Sequence, residues 1–160
     1  MPRLENLSEV QRKNALFFPC MEFESTPWVP LRKDLSESRL TLVTTAGLHL
    51  REDKPFVTDL EGGDHSYRII PSDTKPSDIL QSHVSIGFDH TAIYRDINVA
   101  FPIDRMRELA DRGVIGSVAE NHYSFMGALR DPRRLVQQTG PEVAQRIKDD
   151  GVDLVFLIPI

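Results

Sequence analysis

The apolar positions divide the chain into short segments that predict alternating strands and helices. Residues 39–48 combine leucine and valine with β-branched threonines, a composition that favours a buried strand. A second strand is predicted at 67–70, where Pro71 ends it because proline donates no backbone hydrogen bond. The closing segment 152–160, VDLVFLIPI, is almost purely apolar. This pattern is typical of a strand that is buried on both faces of a parallel sheet.

The first 38 residues have a different pattern and are predicted to form a separate part, 1–38, ahead of an α/β domain at 39–160. Residues 4–18 are compatible with a helix, and Ser8 and Gln11 have the spacing of a capping box. Prolines then interrupt any periodic element, so an extended arm is expected to follow the helix. These prolines are Pro19, Pro27 and Pro30.

Two further helices are predicted between the strands. An apolar stripe marks a helix over 102–112, and Gly113 stands where a left-handed C-terminal cap belongs. Another helix is expected to begin near Asp131 and to be divided at Gly140 and Pro141, with Thr139 capping the second piece. Because a helix, a glycine and a buried strand form half of a βαβ unit, we predict a mostly parallel sheet with flanking helices, Rossmann-like or flavodoxin-like.

Composition and charge narrow the range of partners. The chain has 160 residues, a formal net charge of −5 and one cysteine, Cys20. A net negative charge disfavours nucleic acid as a partner, and a single thiol can form neither an intramolecular disulfide nor a cysteine zinc site. No apolar run reaches the length of a membrane span, and the N-terminus has charged and polar residues where a secretory signal would have its apolar stretch. We therefore expect a soluble cytoplasmic protein with no membrane and no nucleic-acid partner.

Histidines and acidic residues supply the first candidate chemistry. His83, Asp89 and His90 lie close in sequence, and His122 could join them in space. Imidazole and carboxylate groups suit a metal ion, a general acid–base site or a cleft that binds substrate. The spacing matches no standard metal signature, so no metal ligands are assigned, and these groups could equally cap turns and satisfy buried backbone. His122 and Tyr123 are candidates for donating protons to a leaving amine.

A second polar group lies before the helix at 102–112. Asp96, Asn98 and Arg105 are candidates for contacting substrate, since a guanidinium fork suits a planar carboxylate. The structural alternative is that Asp104 and its neighbours favour the helix N-terminus and that Arg105 pairs with one of the carboxylates.

Longer stretches carry a resemblance that no single motif provides. From Ser36 onward the chain resembles the selenoprotein B family of glycine, betaine, sarcosine and D-proline reductases. The matching stretches, in the order of the family, are SESRLTLVTTAGLHL from Ser36, HSYRIIPSDT from His65, FDHTAIYRDINVAFPIDRMRELADRGVIGS from Phe88, NHYSFMG from Asn121 and DGVDLVFLIPI from Asp150.

The resemblance implies reductive cleavage of a C–N bond in a small amino acid or amine, dependent on selenium or a thiol. It implies that a pyruvoyl group on a partner subunit holds the substrate amine, and that a dithiol or electron donor restores the reduced state. It also implies a selenocysteine or cysteine directly after the strand VDLVFLIPI. There a helix N-terminus would lower the pKa of the chalcogen. No cofactor is expected to be bound in this chain.

This expected nucleophile would follow Ile160, so we expect the sequence to be truncated before it and inactive alone. Selenocysteine is encoded by UGA, which is ordinarily a stop codon. The codon after Ile160 would test whether the chain ends there because UGA was read as termination.

Two other classes remain open at this point. One is a metal-dependent hydrolase or lyase that uses the histidine and aspartate group, and the other is a non-catalytic binding module. The sequence does not distinguish among the substrates of the family. An exposed apolar edge at the closing strand would favour a homo-oligomer.

Overall fold

A computed structural model describes residues 3–17, 24–26, 29–57, 63–85 and 90–160. The chain divides into two compact units, Met1–Pro30 and Leu31–Ile160. The expected division after residue 38 stays a prediction. Cys20 and Trp28 lie outside the described residues, as do Pro19 and Pro27 of the expected proline-rich arm.

The first unit contains helix α1, Glu9–Phe17, preceded by a 3-10 turn at Leu4–Asn6. The predicted capping box is confirmed. The Ser8 backbone N–H donates to Gln11 Oε1 at 3.1 Å, and the Gln11 N–H donates to Ser8 Oγ at 3.3 Å. This pair satisfies two of the backbone donors that a helix start leaves open.

The second unit is built on a mixed, mostly parallel sheet. Its strands are β1 (Arg39–Thr44), β3 (Tyr67–Pro71), β5 (Ser117–Val118), β6 (Asn121–Phe125) and β7 (Leu154–Ile158), while β2 (Leu48–Leu50) and β4 (Ile79–Gln81) form a separate antiparallel pair. Strand β1 is central. It pairs in parallel with β5 and then β6 along one edge and with β7 along the other, and β3 adds to β6 in the antiparallel sense.

The single strand expected at 39–48 is instead two strands, β1 and β2, which belong to different sheets. Gly47 lies between them with φ +64°, a conformation that L side chains rarely adopt. A Cβ atom at Gly47 would also lie 3.1 Å from the backbone nitrogen of His83. The chain therefore turns sharply after β1, and the segment that carries His83 packs directly against this turn.

The remaining helices are α2 (His90–Arg95), α3 (Ile103–Asp111) and α4 (Gly140–Asp149). The prediction for α3 is confirmed, including Gly113 at φ +69°. The expected division at Gly140 is wrong, because a π-helical turn at Leu135–Thr139 runs directly into α4. Pro141 follows this π-helical turn, at the second residue of α4. Thr139 does not cap α4, because it lies within the π-helical turn with helical φ −74° and ψ −31°, whereas a cap residue leaves the helical conformation. Its hydroxyl donates to the His65 carbonyl at 2.7 Å.

Helices flank the sheet through two separate hydrophobic clusters. Leu42 belongs to a cluster that includes Ile103 and Met106 of α3. Its neighbour Val43 packs against the other cluster, which contains Val143 and Ile147 of α4. Adjacent residues of a strand point to opposite faces, so α3 and α4 cover different sides of the sheet. This arrangement confirms the α/β class, while a Rossmann-like or flavodoxin-like assignment stays a prediction.

Strand β7 differs from its expected environment. Val155, Phe156 and Leu157 are 36%, 45% and 67% exposed, so the prediction of a strand buried on both faces is wrong for the described chain. The reason is its place at the sheet edge. Within the described ranges, β7 pairs with β1 alone.

Candidate functional site

The carboxyl ends of three parallel strands meet at one edge of the sheet. We call this region the carboxyl edge and define it by residues 45–47 after β1, 126–127 after β6 and 159–160 after β7. In open α/β sheets, ligands bind outside the carboxyl ends of the strands. The carboxyl edge is therefore the candidate functional site of this sheet.

Thr45 links β1 to the end of β7. Its backbone N–H donates to the Ile158 carbonyl at 3.1 Å, in continuation of the strand pairing. Its side-chain Oγ1 accepts a hydrogen bond from the Ile160 N–H at 2.8 Å and donates to the Ile160 carbonyl at 3.2 Å. One threonine thus contacts both backbone polar groups of Ile160.

Gly127 brings the end of β6 against the same residues. Its N–H donates to the Thr45 carbonyl at 2.8 Å. A Cβ atom at this position would lie 2.6 Å from the Ile160 carbonyl oxygen and 3.0 Å from Thr45 Oγ1. Glycine is therefore required by close packing of three backbone segments.

Two of the candidate histidines lie beside the carboxyl edge. His83 is buried, and its Nδ1 accepts a hydrogen bond from the Ser85 N–H at 3.0 Å. His90 begins α2, and the centroids of the two imidazole rings are 6.5 Å apart. Burial lowers the pKa of His83, and the nearby His90 lowers it further. The structure thus brings two of the candidates together, while Asp89 lies outside the described residues.

His90 is connected to the carboxyl edge through Gln81. His90 Nδ1 lies 3.0 Å from Gln81 Oε1, and its Nε2 lies 2.7 Å from the Ser85 carbonyl. The amide nitrogen of Gln81 donates to the Ala46 carbonyl at 3.1 Å, which fixes the oxygen toward His90. The histidine pair is thereby tied to the turn after β1.

His122 has a different environment, inside the first hydrophobic cluster. It is fully buried in β6, and its Nδ1 accepts a hydrogen bond from the Leu42 N–H at 3.1 Å. Its ring packs edge-on against Phe101, with centroids 5.4 Å apart. Since Nδ1 is the acceptor, the proton lies on Nε2, which has no hydrogen-bond partner among the described residues. Its proposed role as a proton donor stays a prediction.

The environment of His122 strongly favours its neutral form. Burial lowers its pKa from 6.5 to about 4, and the charge of Arg107 acts in the same direction. At neutral pH the ring is therefore an uncharged member of the core.

Tyr123 points to the opposite face of β6 from His122. It is buried, with its ring centroid 6.1 Å from that of Tyr67. Burial raises its pKa, and the charge of Asp150 raises it further. The structure thus separates the two residues that were candidates for proton donation, and the role of Tyr123 also stays a prediction.

The second polar group forms a local network before α3. Asp96 accepts hydrogen bonds from the backbone and side chain of Asn98, both at 2.9 Å, and these bonds lower the pKa of its carboxyl group. Asn98 also donates to Asp104 at 3.0 Å. Arg105 pairs with Glu108 at 2.8 Å, and with neither Asp96 nor Asp104. Contact of Asp96, Asn98 and Arg105 with substrate stays a prediction.

Within the ranges that the structure describes, no three histidine, cysteine, aspartate or glutamate side chains form a group that could hold a metal ion. None of the described helices has the length and apolar character needed to span a bilayer.

Sequence reasoning missed Thr45 and Gly127. Both stand in short segments, VTTAG and SFMG, directly after strands. Their positions directly after predicted strands could have marked them as candidates. The local sequence pattern, however, does not show which strands lie next to one another in the sheet.

Comparison with known proteins identifies the family. Residues 10–159 match the model of the glycine/sarcosine/betaine reductase selenoprotein B family. The chain is 42% identical over 130 residues to D-proline reductase subunit gamma of Acetoanaerobium sticklandii, covering 81% of this chain and 52% of that protein.

More distant relatives belong to related reductase complexes. The sarcosine reductase complex component B subunit beta of Peptoclostridium acidaminophilum is 26% identical over 141 residues, with 88% of this chain and 32% of the relative covered. The glycine reductase complex component B subunit gamma of Symbiobacterium thermophilum is 27% identical over 144 residues, with the same two shares, 88% and 32%.

The chain spans about half the length of the first of these relatives and about a third of the other two. No solved structure matches this chain significantly. The match over nearly the whole chain shows that this protein belongs to the glycine/sarcosine/betaine reductase selenoprotein B family.

Proposed function

We propose that this chain is the sheet-bearing part of a reductase subunit that cleaves a C–N bond in a small amino acid or amine, with D-proline as the first substrate to test. The observation that carries the proposal is the family match, with 42% identity to a D-proline reductase subunit. The carboxyl edge supports it, because β7 ends there with its backbone held by β1 and β6.

The proposed reaction is a two-electron reduction. For D-proline, the ring C–N bond breaks, and two electrons and two protons convert the substrate to 5-aminovalerate. A dithiol supplies the two electrons and the two protons and is oxidised to a disulfide. The reactive selenium or sulfur belongs directly after Ile160, and a pyruvoyl group on a partner subunit would hold the substrate amine.

In that reaction, the residues of this chain position the reactive residue and contact the substrate. The end of β7 lies against Thr45 and Gly127, so a residue that follows Ile160 would start at the carboxyl edge. His83 and His90 lie beside the same edge and are the described side chains best placed to contact substrate. Asp89, which precedes His90 in the sequence, is the third residue of this group that we expect to contact substrate.

A chimera tests the proposal directly. The chain is joined after Ile160 to the C-terminal part of D-proline reductase subunit gamma, with cysteine or selenocysteine as the first added residue. The chimera is then combined with the other subunits of that reductase. We expect 5-aminovalerate to form from D-proline only when a dithiol is present.

A matched chimera with serine in place of the cysteine is the control. It keeps the fold and the partner contacts but has no thiolate, so it is expected to be inactive. Equal product formation by the serine and cysteine forms would contradict the proposed chemistry. A folded cysteine or selenocysteine chimera that joins the complex and yields no product with D-proline, glycine, sarcosine or betaine would contradict the reductase assignment.

A further inference from the structure

We propose that Thr45 is a positioning residue, whose hydroxyl fixes the direction in which the chain leaves β7 and thereby places the reactive residue. This inference rests on the proposed function for its catalytic consequence. It rests on the geometry of the carboxyl edge for its structural part.

A contact from the end of β6 explains why the Thr45 side chain binds the end of β7. The strand pairing between β1 and β7 reaches Ile158, whose carbonyl accepts from the Thr45 N–H at 3.1 Å. In this parallel register the next donor that faces β1 is the Ile160 N–H, and its regular acceptor would be the Thr45 carbonyl. That carbonyl already accepts from the Gly127 N–H at 2.8 Å, and the Ile160 N–H instead binds the Thr45 side chain at 2.8 Å. Thr45 therefore continues the contact between the strands after regular pairing has ended.

The Ile160 carbonyl is fixed as well as its N–H. Thr45 Oγ1 donates to this oxygen at 3.2 Å, and the Cα of Gly127 lies so near that an added Cβ would be 2.6 Å away from it. Where a residue follows Ile160, this oxygen is the carbonyl oxygen of a planar peptide bond, so its position sets the direction to the Cα of that residue. Two contacts on Ile160 thus define where the following side chain begins.

The chemistry of threonine suits this role. Its hydroxyl can accept from the N–H and donate to the carbonyl of the same residue, and its β-branched side chain has few rotamers. Valine has nearly the same shape and neither hydrogen-bonding function. Serine keeps both functions. The substitutions Thr45→Val and Thr45→Ser therefore separate hydrogen bonding from packing.

The structural part is tested by amide hydrogen exchange at Ile160 in the 160-residue chain. In Thr45→Val we expect exchange of this amide to accelerate about tenfold, the effect of losing one hydrogen bond. Thr45→Ser is expected to restore the slow rate. Thr44→Val is the matched control. Its hydroxyl also accepts one backbone hydrogen bond, from the Ala46 N–H at 3.2 Å, but does not touch Ile160. An Ile160 exchange rate unchanged in Thr45→Val, or equally raised in Thr44→Val, would overturn the proposal.

The catalytic part is tested in the chimera described above. Misplacing a reacting group by about 1 Å can lower the rate about 100-fold, so we expect Thr45→Val to lower kcat by about 10- to 100-fold with little change in KM. Thr45→Ser is expected to recover most of kcat, and Thr44→Val to retain it. A Thr45→Val enzyme with unchanged kcat, or one in which only KM rises, would overturn the positioning role.

The two proposals fail in distinguishable ways. An inactive chimera that still contains Thr45 overturns the proposed function and the catalytic consequence, while the exchange rates still decide whether the hydroxyl holds Ile160. An active chimera that is insensitive to Thr45→Val overturns only the positioning role.

Discussion

Leu42→Ala is expected to lower the free energy of unfolding by about 4 kcal/mol, within the range for a large core residue cut back to alanine. Leu42 is fully buried in β1, and its side chain belongs to the cluster under α3. Strands pair with both edges of β1, so its backbone has little freedom to collapse into the cavity that the substitution would leave. Urea unfolding followed by circular dichroism measures the difference.

Leu157→Ala is the matched control for this prediction. It removes the same atoms from the neighbouring strand β7, where the side chain is 67% exposed. We expect a loss below about 1 kcal/mol, as for most exposed positions. If Leu157→Ala were as destabilising as Leu42→Ala, β7 would be covered in solution and its description as an exposed edge would be wrong.

Acidification from pH 6.5 to 4 is expected to remove about 3 kcal/mol of folding stability through His122 alone, at about 1.4 kcal/mol for each unit of pKa difference. The unfolded chain binds a proton on this ring near pH 6.5, whereas the folded chain binds it only near pH 4 because burial disfavours the charge. Between these values the unfolded state binds more protons. The contribution of His122 to the free energy of unfolding is therefore complete well above pH 6.5, decreases as the pH is lowered, and levels off below about pH 4.

His122→Asn isolates this contribution. The asparagine side-chain oxygen can accept from the Leu42 N–H as Nδ1 does, but it does not titrate. Unfolding free energies of both proteins are measured from pH 7 to 4, and the difference between the two curves cancels the other titrating groups, including His83. Parallel curves over this range would show that His122 is not buried in a neutral form.

The features that the sequence predicted correctly are those set by local pattern. The capping box of Ser8 and Gln11, helix α3 and its terminal Gly113 each depend on residues within one or two turns of one another. The α/β class followed from the order of such elements. The family followed from long matching stretches, which do not require knowledge of the fold.

The features that the sequence did not predict depend on distant segments. Thr139 has the residue type of a helix cap, but its backbone is helical and its hydroxyl donates to the carbonyl of residue 65. His122 has the residue type of a proton donor, yet the partner of its Nδ1 is a backbone N–H of the neighbouring strand. Thr45 and Gly127 become meaningful only when β1, β6 and β7 lie side by side. Each of these contacts depends on which distant segments the fold brings together, and a single sequence does not show that.

The apolar outer side of β7 has a practical consequence for handling the protein. Along that side, the main-chain donors and acceptors have no strand partner in the described part of the chain, and Phe156 and Leu157 are exposed on opposite faces of the strand. An unpaired strand edge of this kind can pair with a strand of another polypeptide, which is the first step of aggregation. Leu157→Lys would place a charge beside this edge and should keep concentrated samples in solution.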